Sequence, residues 1–176
     1  MAVKEVKLST IEEVLTTLTT AEFNDALKRN RSAFLFRGLP NVSYKLTTSL
    51  RWNCKGKAGE LEPSILRNFS KYAASTSPLN SCWEQMVIGQ HHGLPTRLMD
   101  WTYSPLAALH FATSGEDITG MNQHDAVVWA IDITEMNTLL PAKYQKVLND
   151  ERAYLFTIDM LDRVAKDLTT YDNDMG

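Results

Sequence analysis

Residues 89–113, GQHHGLPTRLMDWTYSPLAALHFAT, constrain the fold of this chain most strongly, because they end one helix and begin another. The preceding stretch starts with a capping box led by Ser81, and Gly93 suits the left-handed position that follows a helix. Pro95 then disfavours helical backbone at the residue before it. Ser104 and the proline after it are typical of a helix start. We therefore predict two helices joined by an extended segment that is dense in polar side chains.

Two apolar stretches indicate buried strands. SAFLFRG, residues 32–38, is aromatic and ends in glycine, and AVVWAIDI, residues 126–133, is a nearly continuous apolar run that indicates a largely buried strand. The strands do not alternate strictly with helices along the chain, which favours an α+β fold over a doubly wound sheet. We predict a single domain with a small mixed or antiparallel sheet and several surrounding helices.

Apolar residues at helical spacing predict the other helices. Ser9 and Glu12 have capping-box spacing at the first helix, and a second such pattern predicts a short helix from about Thr19 to Arg29. Residues 39–59 are predicted to be a long irregular segment, and the polar tail 169–176 is predicted to fray. Further helices are predicted for residues 60–75, 135–140, 142–148 and 158–168.

The composition argues against several broad classes of protein. The chain has 176 residues and a net charge of −3, so no overall basic field attracts it to nucleic acid or anionic lipid. Cys54 and Cys82 lie in no CxxC motif, and two reduced thiols are expected inside a cell. The sequence has no apolar run that could cross a membrane, and its N-terminus lacks the apolar centre of a signal peptide. We therefore expect a cytoplasmic protein without a membrane partner.

Two arginines are candidates for binding an anion. Arg37 ends the first apolar strand, where it needs either an acid of the chain such as Asp100 or a ligand that approaches at Gly38. Arg97 lies three residues before Asp100 on the extended segment, so these two side chains leave on opposite faces. The two guanidinium groups can converge on one phosphate, or a buried Arg–Asp network can hold the fold together. Both interpretations stay open.

The polar residues around the turn allow similar alternatives. His91 and His92 are adjacent on a helix and cannot chelate a metal together, and no partner motif completes a zinc site. One histidine is expected to bind the backbone at the helix end and the other to face a cleft. Gln90 and Thr96 either orient a ligand or brace the loop, and Trp101 is either a core residue or a stacking surface.

With these residues assembled, the chain resembles the FRG domain family, which is named after its Phe-Arg-Gly signature. The signature is residues 36–38 here, and a following serine, apolar residue and arginine are residues 49–51. Glu62 leads the family's acidic helix start, and residues 89–112 match its longest block. The resemblance covers about residues 32–133.

The resemblance also implies three segments of the chain and a preference between the two histidines. It implies an N-terminal helical segment over residues 1–31, a core over 32–133 and a helical extension of the same domain over 134–176. Members of the family tend to run past this length, which implies a truncated extension. His92 stands where the family usually has an aromatic residue, which favours His91 as the functional histidine.

A second resemblance is to ADP-ribosyltransferases. Those enzymes grip NAD with an arginine or histidine on a first strand, continue with a strand that bears small hydroxyl residues, and place a glutamate late in the chain. Arg37 and Thr102 follow that order. The resemblance implies that a cation holds NAD and that a carboxylate stabilises the oxocarbenium-like state. Candidates for the late glutamate are Glu116, Glu135 and Glu151.

Two functions follow as hypotheses. The first is a nucleotide- or NAD-binding, ADP-ribosyltransferase-like domain without a metal, whose catalytic residues are Arg37, His91 and Glu135. The second is a non-catalytic ligand-binding or protein-interaction module in which the Arg/Asp/His block is a structural brace. The cofactor-binding residues of the first hypothesis are Arg37, Gly38, Arg51, Gln90, Thr96, Arg97, Asp100, Trp101 and Thr102.

Overall fold

The structure is a computed structural model that describes residues 3–20, 33–73, 81–114 and 123–176, together with the backbone of 23–24 and 29–30. The strands are β1 (Phe23–Asn24), β2 (Arg29–Asn30), β3 (Phe34–Leu39) and β4 (Val127–Asp132). The α-helices are α1 (Ile11–Thr19), α2 (Ser49–Cys54), α3 (Ala58–Ala73), α4 (Cys82–His91), α5 (Pro105–Thr113), α6 (Ile133–Thr138), α7 (Ala142–Asp150), α8 (Ile158–Val164) and α9 (Leu168–Met175). Lys55–Lys57 form a 3-10 helix. The predicted α+β class is confirmed.

The chain divides into two compact units. The first contains residues 1–44 and 101–132, and the second contains residues 45–100 and 133–176. The first unit holds the strands, α1 and α5, whereas the second unit is built from helices and the extended segment after α4.

An antiparallel pair of strands forms the centre of the first unit. β3 and β4 pair in a register that runs from Phe34 opposite Asp132 to Leu39 opposite Val127. On the other side of β3, Thr102 exchanges two backbone hydrogen bonds with Phe36, at 2.8 and 2.9 Å. Both strands were predicted, but the expectation that β4 is largely buried is wrong. β4 is only half-buried because, in the described part of the chain, it pairs with a strand on one side only.

α5 packs closely on β3 in the first unit. Ser104 caps this helix by accepting a hydrogen bond from the Ala107 amide at 3.2 Å, and proline follows at the first helical position, as predicted. Ala108 and Ala112 are buried, and their small side chains allow the helix backbone to approach the strand. A Cβ atom added to Gly38 would lie 1.8 Å from the Ala108 carbonyl oxygen. Glycine is therefore required at this position by packing alone.

The core of the second unit gathers α3, α4, α7 and the end of α8. Leu66, Trp83, Met86, Tyr144 and Ala165 are its buried members. The Trp83 indole donates a 2.7 Å hydrogen bond to the Ala165 carbonyl, so the polar atom of this buried ring has a partner. The capping predictions for α4 are confirmed, since Ser81 accepts from the backbone at the start of the helix and Gly93 adopts φ 82° after its end.

Four local predictions are wrong. The predicted helix from Thr19 to Arg29 is replaced at its described positions by β1 and β2, which pair with Phe23 opposite Asn30. Residues 21–22 and 25–28 of that prediction lie outside the described residues. A helix this short is marginal because its nucleus is costly, and local pairing of β1 with β2 replaces it. The capping box of α1 is formed by Thr10 and Glu13, one residue later than predicted.

The other two errors concern segments predicted to be irregular. Residues 39–59 contain α2 and the 3-10 helix, because Thr48 caps α2 and Leu50 is buried beneath it. The tail forms α9 rather than fraying. Asp167 caps this helix by accepting a 2.8 Å hydrogen bond from the Thr170 amide.

Within the described residues, no helix combines the length and the apolar character needed to cross a membrane.

Candidate functional site

Arg97, on the extended segment after α4, lies between two carboxylates of the second unit. Its Nε atom is 2.8 and 3.0 Å from the two carboxylate oxygens of Glu62 on α3, and its Nη2 atom also donates to Glu62. Its Nη1 atom is 2.5 Å from Oδ1 of Asp172 on α9, and Nη2 is 3.2 Å from Oδ2. The guanidinium group has two edges that can each donate two hydrogen bonds, and both edges therefore bind carboxylates of the protein.

The surroundings of Arg97 make this contact a structural one. The Glu62 side chain is 3% exposed and the Arg97 side chain is 23% exposed, so the pair is largely removed from water. The hydrogen bonds to Glu62 and then those to Asp172 raise the pKa of Arg97 above its ordinary value, whereas burial opposes this shift. A phosphate could reach either edge of the guanidinium only by displacing a carboxylate. Arg97 thus ties the extended segment to α3 and α9.

Thr96 is the centre of a second set of hydrogen bonds. Its side chain is buried, and its hydroxyl donates to Oε1 of Gln90 and accepts from the Leu98 amide at 3.2 Å. Its backbone amide donates to the Ser49 hydroxyl at 3.1 Å, and its carbonyl accepts from the Leu50 amide at 3.1 Å. Thr96 therefore fixes the start of α2 against the extended segment.

Gln90 connects this set to Asp100. Its Nε2 atom donates to Oδ1 of Asp100 at 2.6 Å, so both ends of the amide are bound. The following residues, His91 and His92, are exposed, and their rings meet edge to face with centroids 5.6 Å apart. The structure thus joins Gln90, Thr96 and Asp100, while both histidines face solvent.

The signature arginine lies in the first unit. Arg37 is half-buried on β3, and Gly38 after it is the residue that packs against α5. Trp129 on β4 is directly opposite Arg37 in the register. The Trp129 Nε1 atom is buried and has no hydrogen-bond partner, which makes it the one such side-chain atom among the described residues. A buried donor without an acceptor calls for an explanation.

Three other predicted residues lie elsewhere. Trp101 and Thr102 are half-buried in the first unit, where the Thr102 hydroxyl accepts a 3.0 Å hydrogen bond from the Ser104 amide. Arg51 is exposed on α2 of the second unit.

The candidate glutamates differ in their contacts. Glu135 is exposed on α6, and its carbonyl accepts a 2.7 Å hydrogen bond from the Thr138 hydroxyl. Glu151 is 2.5 Å from Nη2 of Arg163 in an exposed ion pair. Glu116 lies outside the described residues.

A surface cavity of about 230 Å³ lies between α6 and α7. Two amide side chains at the cavity already bind backbone carbonyls. Asn137 donates to Tyr154 at 2.9 Å, and Gln145 donates to Leu140 at 2.7 Å. In the described ranges, no three histidine, cysteine or acidic side chains group as a metal site would require.

The comparison with protein families decides the relationship of the chain. The model of the FRG domain matches residues 32–119, which is half of the sequence. The chain belongs to the FRG domain family. No curated protein and no solved structure matches it significantly. Within this FRG domain, the longest family block supplies Gln90, Thr96 and Arg97 to the hydrogen bonds of the second unit, and its later residues form α5 in the first unit.

Several important residues of this FRG domain carried only a weak signal in the sequence. Glu62 stood out as the acidic start of a helix, but its partner could not be inferred. Ser49 belongs to the motif, whereas Asp172 lies in a tail that resembled a frayed end. Trp129 resembled an ordinary core residue of an apolar strand.

Proposed function

We propose that this FRG domain binds a nucleotide-type anion at Arg37, with Trp129 as the second donor. In this proposal Arg97 is a structural brace, so the two arginines have different roles and the ligand does not require them to converge.

The unsatisfied indole N–H of Trp129 is the observation that carries the proposal. Directly opposed residues of an antiparallel pair project from the same face of the sheet, so Arg37 and Trp129 are neighbours. Leaving a buried donor without an acceptor costs about 1–3 kcal/mol. An oxyanion that accepts from both side chains removes this cost and is bound by a charge-assisted hydrogen bond as well.

The chemistry of the donors favours a phosphate. A guanidinium fork binds two phosphate oxygens at once, whereas the indole supplies a single directional donor. The order of elements that resembles ADP-ribosyltransferases, with an arginine on the first strand, supports NAD and ADP-ribose as the first ligands to test.

Calorimetry with NAD, ADP-ribose and AMP tests the proposal. We expect the wild type to bind at least one of them and Trp129→Phe to bind it about tenfold or more weakly, because one hydrogen bond to a charged group is lost. Arg37→Lys keeps the charge but loses the fork, so it should also weaken binding. Tyr72→Phe is the control, since it removes one side-chain donor from a residue that is 81% exposed on α3, and it should bind like the wild type.

The contrary result is equally specific. If none of the three compounds binds, the nucleotide proposal is wrong and the alternative function is favoured. That alternative is a non-catalytic interaction module, and the saturation of Arg97 by Glu62 and Asp172 is the observation that favours it.

A further inference from the structure

We propose that the side chains of Arg51, Trp52, Lys55 and Lys57 form a surface that binds single-stranded nucleic acid. We call these four residues the basic–aromatic surface. It belongs to the second unit and shares no residue with the nucleotide site proposed at Arg37, so it is a further function.

α2 is anchored on one side and presents this surface on the other. Thr48 caps the helix by accepting from the Arg51 amide at 3.3 Å, and Ser49 is hydrogen-bonded to the buried Thr96. Leu50 is 3% exposed, which fixes the inward face. Residues one and two positions later point about 100° and 200° away from it around the helix. Arg51 and Trp52 are therefore held in solvent by a fixed scaffold.

The cations of the surface are open to solvent, and they form no ion pair with any residue that the structure describes. Arg51, Lys55 and Lys57 are all exposed, and a Cβ atom added to the intervening Gly56 would meet no atom within 4 Å. None of the salt bridges in the described part of the chain uses these three cations. Their charge is thus available to an external anion.

The sequence around the surface is strongly asymmetric in charge. Residues 26–59 contain eight of the 18 lysines and arginines of the chain and none of its 21 acidic residues. The net charge of −3 conceals this segment, because the acids are placed elsewhere. A cluster of like charges creates a local potential that attracts polyanions.

Among polyanions, the exposed indole of Trp52 favours single-stranded nucleic acid. A single exposed apolar residue is common, but Trp52 is 71% exposed and lies among three exposed cations. Bases of a single strand stack on aromatic side chains while lysine and arginine contact the phosphates. A duplex conceals its base faces, an acidic peptide offers no ring to stack, and binding to a lipid surface requires a wider apolar face than one indole.

The number of cations fits a short stretch of nucleic acid. Arg51, Lys55 and Lys57 can each contact one phosphate of a single strand. Three phosphate contacts to a single strand give a slope of log K against log salt of about −2.

Fluorescence anisotropy with a labelled twelve-nucleotide dT strand tests the proposal on the full chain. We expect binding with a salt slope near −2. Trp52→Ala should weaken binding by about fivefold to 150-fold, and Trp52→Phe should retain most of it because a phenyl ring still stacks. The triple variant Arg51→Ala, Lys55→Ala and Lys57→Ala should lose both the binding and the salt dependence.

The control variant replaces three exposed cations outside the surface, Lys4, Arg152 and Lys166, by alanine. It should bind the strand like the wild type. Failure of the wild type to bind the dT strand overturns the proposal, as does equal binding by both triple variants. Tighter binding to phosphatidylserine vesicles or to polyglutamate than to the dT strand also overturns it. None of these results depends on the calorimetry with NAD, so the two proposals succeed or fail separately.

Discussion

The contacts of Arg97 are unequal in their exposure, and their contributions to stability should differ accordingly. Glu62 is 3% exposed, whereas the Asp172 side chain is 55% exposed. Breaking a buried ion pair leaves a charge without compensation, while an exposed pair is screened by water. We expect Glu62→Gln to lower the free energy of unfolding by about 2–4 kcal/mol and Asp172→Asn by less than about 1 kcal/mol. Urea unfolding at neutral pH measures both. Equal losses would show that Arg97 does not depend on the buried partner.

A substitution at Gly38 tests whether glycine is required there for packing. An alanine there places its Cβ atom against the backbone of α5, which cannot rotate away, so we expect Gly38→Ala to cost about 3 kcal/mol or more. Gly59→Ala is the matched control, because the position lies in α3 with open space around it and should gain up to about 1 kcal/mol. Thermal unfolding of both variants checks the difference. An unchanged melting temperature for Gly38→Ala would contradict the close approach of α5 to β3.

At the scale of helices and strands, the sequence predicted the elements whose ends are determined locally. The start of α5 and the end of α4 depend on Ser104 and Gly93, which lie next to the residues that they cap. α9 was missed although Asp167 caps it locally, because the contacts that hold its later turns are distant in sequence. Asp172 contacts Arg97 across 75 residues, and Asp174 contacts Tyr144 across 30. Local patterns carry no information about such contacts.

The acidic groups of α9 make this helix sensitive to low pH. The Thr170 amide lowers the pKa of Asp167, and Lys143 lowers that of Asp174. Because both values are depressed in the folded chain, the stabilisation is complete above the ordinary carboxyl pKa of about 4 and is lost as the pH falls through the lowered values. We expect the NMR shifts of residues 168–175 to lose their helical character between about pH 4 and pH 2.

A neutral residue at the helix cap distinguishes the contribution of Asp167 from that of Asp174 in that experiment. Asp167→Asn keeps an oxygen that can accept from the Thr170 amide but cannot titrate near pH 4. The start of α9 should then stay helical at low pH, while its end, near Asp174, still responds. Helical shifts that persist unchanged to pH 2 in the wild type would contradict the role of both carboxylates.

Across the whole molecule, the net charge predicted less about binding than the distribution of charged residues along the chain. The net charge argued against general nucleic-acid binding, yet the acid-free stretch of residues 26–59 is visible in the sequence itself. The partners of Arg97 could not be found in this way, because Glu62 is 35 residues away and several other acids are equally plausible from sequence alone. The fold class and the family thus followed from the sequence, whereas the partners of Arg97 required coordinates.

The last prediction tests whether the net charge of the protein or the position of its charged residues determines the affinity for the dT strand. Reversing Arg51, Lys55 and Lys57 to glutamate changes the net charge from −3 to about −9, and reversing Lys4, Arg152 and Lys166 does the same. A uniform field would weaken binding of the dT strand equally in both variants. At 0.1 M salt, however, the charges that contact the phosphates of the bound strand contribute most, because the field of an exposed charge decays over about 10 Å. We therefore expect anisotropy to detect lost binding in the first variant and binding within about threefold of wild type in the second. If the two variants bind alike, placement has no effect and the overall field determines the affinity.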